Sequence, residues 1–284
     1  MKKIFTMAVA AIWTTMNVCA QTDDVQPYLE LSQLPELYEI MPPHPAFESP
    51  EFAYDQVRYL WGKQQRQDEE RVAQAIADAE WNDHVKLYAQ WKDAFGLKIS
   101  QVNTPEIWKL METSLATTDP MRKYCKAQYG RQRPFERYGD EMPSHEEDDL
   151  RGEGSYPSGH SLRGWCISLL LAQIAPERAN EIYKRGWDYC NSRVIVGAHW
   201  QSDVDASRTA ASIGFCALQG SEAFVAQMKK AQREYKQRTA STGVRAAASP
   251  VQQPSARIYN IDGTPADENT RGIVIEDGQK VMKR

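Results

Sequence analysis

Before residue 240 the sequence contains no run in which apolar and polar residues alternate, and that absence limits the open folds more than any motif does. A half-buried strand needs a period of two, whereas a helix needs apolar residues three and four positions apart. The second pattern recurs. Glu51 to Ala79 is rich in Gln, Arg, Glu and Ala, all good helix formers. Glu80 to Phe95 and Pro105 to Ala116 carry apolar residues at helical spacing, with Pro105 where a first turn tolerates it and Thr104 as candidate N-cap. Pro120 to Tyr129 reads as another helix, and Arg133 to Tyr156 as a polar, Gly-containing loop. The acidic run Glu146 to Asp149 within that loop reads as solvated surface. His160 to Ala175 is stopped by Pro176, and Pro176 to about Val196, Ser202 to Leu218 and Ser221 to Arg238 follow as helices. These spans predict an all-α domain over about residues 35–238, entered through a Pro-rich extended stretch at 21–50.

The two ends differ from this body. Lys2 and Lys3, the apolar run Ile4 to Ala11 and the small-residue site Val18-Cys19-Ala20 predict a signal peptide over 1–20, cleaved near Ala20. No later stretch approaches the ~18 consecutive apolar residues of a membrane span, so the mature chain is expected to be soluble. The helical domain is assigned 21–238. Residues 239–256, rich in Ala, Ser, Pro and Gln, read as a linker. Beyond it, 257–284 reads as a small β appendage, with strands at Arg257 to Ile261 and Gly272 to Ile275 and turns at Asp262-Gly263 and Asp277-Gly278. Its Ile258-Tyr259, Gly263, Gly272-Ile273 and Gly278 to Val281 resemble the C-terminal tails of many secreted bacterial proteins, which implies sorting or surface attachment.

A formal charge of -4 argues against sequence-independent nucleic-acid binding, but leaves room for a local positive pocket. Once Cys19 leaves with the signal, Cys125, Cys166, Cys190 and Cys216 remain. In an oxidising compartment they could form two disulfides in any of three pairings, or stay as small thiols buried on helices; both readings stand. No Cys/His cluster has zinc spacing.

Three segments carry the chemistry: Lys126 through Arg133-Pro134; Gly154-Ser155-Tyr156-Pro157-Ser158-Gly159-His160; and Ser192-Arg193 followed by His199 and Asp203. His199 and Asp203, four apart, can meet on one helical face, where the carboxylate fixes the imidazole tautomer and frees the other nitrogen to attack. Ser158-Gly159-His160 opens an apolar helix, whose unpaired N–H groups suit a phosphate. Lys126, Arg133 and Arg193 can neutralise the equatorial oxygens of a transferring phosphoryl group. Singly, each feature is ordinary. His44, His84 and His145 read as structural or surface histidines.

Taken in order, the pattern K-x6-RP, PSGH, SR-x5-H-x3-D resembles the signature of the phosphatidic acid phosphatase type 2/vanadium haloperoxidase superfamily, and Gly154 to His160 resembles its class A bacterial non-specific acid phosphatases. Ser161 stands where that class has Thr. The resemblance covers roughly 35–238 and implies a compact helical bundle. It implies that His199 is the nucleophile, that Asp203 orients it, and that His160 protonates the leaving group and then activates water. Lys126, Arg133, Ser158, Gly159 and Arg193 would hold the phosphate, with no metal or other cofactor. The expected activity is an exported, periplasmic acid phosphatase of broad substrate range, on small phosphate esters. Phosphate or vanadate would inhibit it, its pH profile would be bell-shaped with an acidic optimum, and it would form a homodimer. Secretion or surface attachment through the tail is the alternative location. A vanadate-dependent haloperoxidase on the same scaffold and a catalytically silent surface-anchored binding protein are the alternative functions. A lipid-phosphate phosphatase fits less well without membrane-spanning helices.

Overall fold

A computed structural model describes residues 25–241, 258–260, 265–266, 270–276 and 279–283. The signal peptide reading, most of the linker and the turns at Asp262-Gly263 and Asp277-Gly278 lie outside the described residues. Eight helices of eight residues or more build the body: α1 Phe52–Gln65, α2 Glu69–Ala77, α3 Pro105–Thr118, α4 Arg122–Tyr129, α5 Gly159–Ile174, α6 Ala179–Ile195, α7 Gln201–Leu218 and α8 Glu222–Ser241. Over residues 25–241 the fold is all-α, as the apolar spacing implies.

Helix α5 is the axis. Leu162, Cys166, Ile167, Leu170, Leu171 and Ile174 are all at most 2% exposed, and only the stripe of Trp165, Leu169 and Gln173 is half-buried, so the helix is enclosed on most of its circumference. It packs chiefly against α6 and α7, while α3 packs on α8. The first residues of α5, from Gly159 to Gly164, are all buried.

Capping side chains redraw several predicted spans. The stretch Glu51 to Ala79 breaks before α2, where Asp68 accepts the Arg71 N–H at 3.0 Å. Glu80 to Phe95 divides into His84–Ala89 and Lys92–Phe95, with Asp83 accepting the Val85 and Lys86 N–H groups. Thr104 sits at the N-cap of α3, yet its hydroxyl bonds Ser100; Glu234 of α8 instead accepts the Ile107 N–H at 2.9 Å. The predicted loop Arg133 to Tyr156 contains two short helices, Pro134–Tyr138 and Glu147–Leu150. Pro134 and its preset φ start the first of these.

The C-terminal residues form an antiparallel sheet of four strands, β1 Ile258–Asn260, β2 Pro265–Ala266, β3 Gly272–Glu276 and β4 Gln279–Lys283, in the order β2-β1-β3-β4. Among the described residues no helix is long and apolar enough to cross a membrane. The four cysteines are free thiols, Cys125, Cys166 and Cys190 buried and Cys216 exposed. Burial pushes the Cys125 thiol up to about 11 and those of Cys166 and Cys190 up to about 12, so all three stay protonated near neutrality.

Candidate active site

His199 lies in the turn between α6 and α7, where Gly197 at φ 85° takes a left-handed conformation that side chains disfavour. Helix α7 begins only at Gln201, so His199 and Asp203 do not share a helical face. Asp203 stands in the first turn of α7, and its Oδ2 accepts the Trp200 N–H at 2.9 Å. That capping contact folds the carboxylate back over the turn and brings Oδ2 to 3.4 Å from His199 Nδ1, a long hydrogen bond. Ser155 Oγ donates to the same carboxylate oxygen and lies 3.3 Å from Nδ1.

A carboxylate only accepts, so Nδ1 of His199 carries the proton and Nε2 the lone pair. The far side agrees. Nε2 faces Arg133 Nη1, an obligate donor, at 3.0 Å. The imidazole is therefore set in the tautomer that leaves Nε2 nucleophilic.

Two residues that the sequence reading gave no role at the site lie behind Asp203: Arg131 holds it, and Asp55 holds Arg131. Arg131 Nη1 meets Asp203 at 2.5 Å and its Nη2 meets Asp55 at 2.7 Å, with all three side chains at 0% exposure. Asp55 also accepts from Ser202 N and Oγ. Burial alone would raise the Asp203 carboxyl; Arg131, His199 and Ser155 outweigh it and hold the group well below the usual carboxylate range. Asp203 is thus a fixed anion behind His199.

His160 is the second residue of α5. Its Nε2 donates to the Ala79 carbonyl at 3.0 Å, and its ring lies 4.6 Å from that of Trp81. A carbonyl partner for Nε2 leaves Nδ1 as the nitrogen able to exchange a proton. Both imidazoles are pushed well below the ordinary histidine range. Burial leads in each case, followed by the cation Arg193 for His160 and Arg133 for His199. Both rings are therefore neutral near pH 7.

Lys126, Arg133, Gly159, His160 and His199 line one cavity of about 700 Å³. Burial, then the charges of Arg133 and Arg122, lower the Lys126 ammonium to about 7, and its Nζ donates to the Gly154 carbonyl at 2.5 Å. Burial and Arg193 lower Arg133 to about 10, still cationic near neutrality. Ser158, Asp203 and Arg193 sit behind this lining, fully buried. Ser158 Oγ accepts the Ser161 N–H at 3.2 Å and caps α5.

Arg193 is the exception among the predicted phosphate ligands. Its guanidinium is engaged at both ends by Glu146, at 2.9 and 3.1 Å, and Glu146 lines the cavity in front of it. The acidic run is therefore not all solvated surface. Its first member reaches inward to a buried cation, a pairing that charge pattern alone does not reveal. Among the described residues no group of three or more His, Cys, Asp or Glu is arranged to hold a metal ion.

The PAP2 superfamily matches residues 111–224, a span that contains every cavity-lining residue of the three motifs. A non-specific acid phosphatase of Providencia stuartii is 39% identical over 210 residues, covering 73% of this chain and 84% of that protein. One from Salmonella typhimurium is 35% identical over 219 residues, 75% of this chain and 85% of its own length. An acid phosphatase of Zymomonas mobilis is 32% identical over 237 residues, 81% and 86% of the two chains.

Proposed function

This chain belongs to the PAP2 superfamily, and from that premise we propose that it is an acid phosphatase hydrolysing phosphate monoesters through a phosphohistidine on His199. The observation that carries the proposal is the state of His199: Nδ1 is turned to a buried carboxylate, and Nε2, unprotonated, faces a cavity rimmed by cations.

The ester phosphate displaces the Arg133 contact from Nε2 and takes Lys126, Arg133 and the Gly159 N–H as partners. His199 Nε2 attacks phosphorus, the bond to the ester oxygen breaks, and a proton from His160 Nδ1 goes to the departing alkoxide. His160 then takes a proton from water, the water oxygen attacks phosphorus, the N–P bond breaks, and phosphate leaves. Asp203 balances the imidazolium charge that develops on His199. Neutral His199 suits attack, whereas His160 must gain a proton to act as acid. The bound dianion favours that protonation by opposing the Arg193 and burial effects that depress it.

A broad substrate range, competition by inorganic phosphate and vanadate, and a homodimeric state belong to the same proposal. So does export to the periplasm, supported by the basic and apolar residues of 1–20, with surface attachment through 257–284 as the alternative. The test is hydrolysis of p-nitrophenyl phosphate in EDTA across about pH 4 to 9, beside His199→Ala. The expected result is chelator-resistant activity on the acidic side, trapping of acid-labile phosphate on the wild type, and loss of both in the variant. An active His199→Ala protein, or a rate still climbing at the alkaline end, overturns the mechanism.

A further inference from the structure

Arg122 belongs to none of the three motifs, yet it lines the same cavity. It stands one helical turn ahead of Lys126 on α4 and lies against the backbone of Gly159. A Cβ on that glycine would come within 2.6 Å of the Arg122 Nε and 3.1 Å of its Cδ. Its guanidinium carbon is 5.3 Å from the centre of the Trp81 ring, which packs on His160.

The other arginines around the site have acidic partners. Arg131 holds Asp55 and Asp203, Arg193 holds Glu146, and Arg163 holds Asp119. Arg133 has Glu153 at 3.7 Å. Arg122 forms no ion pair within the described residues, and its Nε is buried without a hydrogen-bond partner. The acids nearest the cavity are already committed or face water. Glu80 accepts from the Asn82 and Asp83 N–H groups and lies 3.7 Å from Lys86, and Asp149 is exposed. Burial lowers the Arg122 pKa, with the charges of Asp119 and Glu153 only partly opposing it, so a desolvated cation with no ion pair among the described residues borders the cavity.

Its position gives it a direction. In the proposed reaction the leaving group departs beside His160, the side on which Trp81 and Arg122 lie. We infer that Arg122 is an anion subsite for the leaving group, selecting phosphate esters whose alcohol carries its own carboxylate or second phosphate close to the ester oxygen. The inference rests on the phosphatase reading and narrows its substrate class. A guanidinium offers such a group two parallel donors.

Two esters that differ only in this anion make the test: glycerate 2-phosphate, with a carboxylate beside the ester carbon, and glycerol 2-phosphate, with a hydroxymethyl there. The wild type should favour the glycerate in kcat/KM by about tenfold or more, since a charge-assisted pair is roughly twice as strong as a neutral one. Arg122→Gln should bring the ratio close to one, and Arg122→Lys, which keeps the charge, should restore part of it. A ratio is insensitive to how much of the variant is folded. Equal losses on both esters would make Arg122 a ligand of the transferred phosphate and overturn the subsite. So would a wild type that hydrolyses p-nitrophenyl phosphate but treats the glyceryl esters alike, which leaves the phosphatase reading intact. Inactivity on all three substrates overturns both.

Discussion

Arg131 and Arg193 are both buried beside the reacting histidines, and both are neutralised by carboxylates, but the two pairs differ in kind. Arg131 joins Asp55 and Asp203, which are wholly buried on α1 and α7. Arg193 joins Glu146, which is 16% exposed in its side chain and lies on the segment between the motifs, beside a short helix. The floor of the site is an ion network closed upon itself. The mouth is a pair whose carboxylate presents oxygens to a guanidinium fork from the cavity side, the arrangement a phosphate would also satisfy. Burial of a cation therefore does not fix its role; the exposure of its partner separates the two pairs.

The floor gives the largest expected effect. Arg131→Ala strands Asp55 and Asp203 as buried charges without a counter-ion, and a broken buried pair of this sort costs about 3–5 kcal/mol. Urea unfolding should show that loss, and p-nitrophenyl phosphate turnover should fall with it as Asp203 loses its position behind His199. A loss below about 1 kcal/mol, in the range of an exposed pair, would place the floor and the mouth in one class.

The sequence discloses this contrast unevenly. Lys126, Arg133, Gly159, His160 and His199 carry it in contiguous motifs, and the cavity gathers them. The axis helix α5 is legible because an apolar run of its length has few alternatives. Asp55 and Arg131 are not, because an ion pair between distant segments leaves no period or spacing; only the place of Arg131 inside the Lys126–Arg133 motif hinted at it. Helix ends between residues 51 and 95 are also hidden. Asp68 and Asp83 read as ordinary polar residues until their carboxylates are seen to collect free N–H groups. Glu146 fails differently. Acidic runs are usually solvated, and nothing in Glu146 to Asp149 singles out the member that turns inward.

A smaller effect separates the cations of the cavity by pH. Lys126, held at about 7, is charged below that pH and neutral above it. Phosphate affinity therefore weakens as pH rises through about 7, and kcat/KM, which reports the free protein, should bend downward there. Losing a hydrogen bond to a charged group corresponds to roughly 10- to 100-fold. Lys126→Arg keeps the charge at all working pH values and should move the alkaline limb upward. Ionisation of the substrate phosphate is common to both proteins, so a limb that stays in place assigns the fall to the substrate or to a histidine.

The mouth gives the smallest and most diagnostic effect. Glu146→Gln retains shape and hydrogen-bonding reach while removing the charge that competes with phosphate for Arg193. If Glu146 competes with a phosphate oxygen for Arg193, KM for p-nitrophenyl phosphate and the inhibition constant for inorganic phosphate should both fall, by about three- to tenfold, with kcat little changed. If Glu146 instead aims Arg193, as Asp203 aims His199, the same variant raises KM and lowers kcat together. The sign of the change in KM therefore decides whether the mouth is a displaceable pair or a second, less buried copy of the floor.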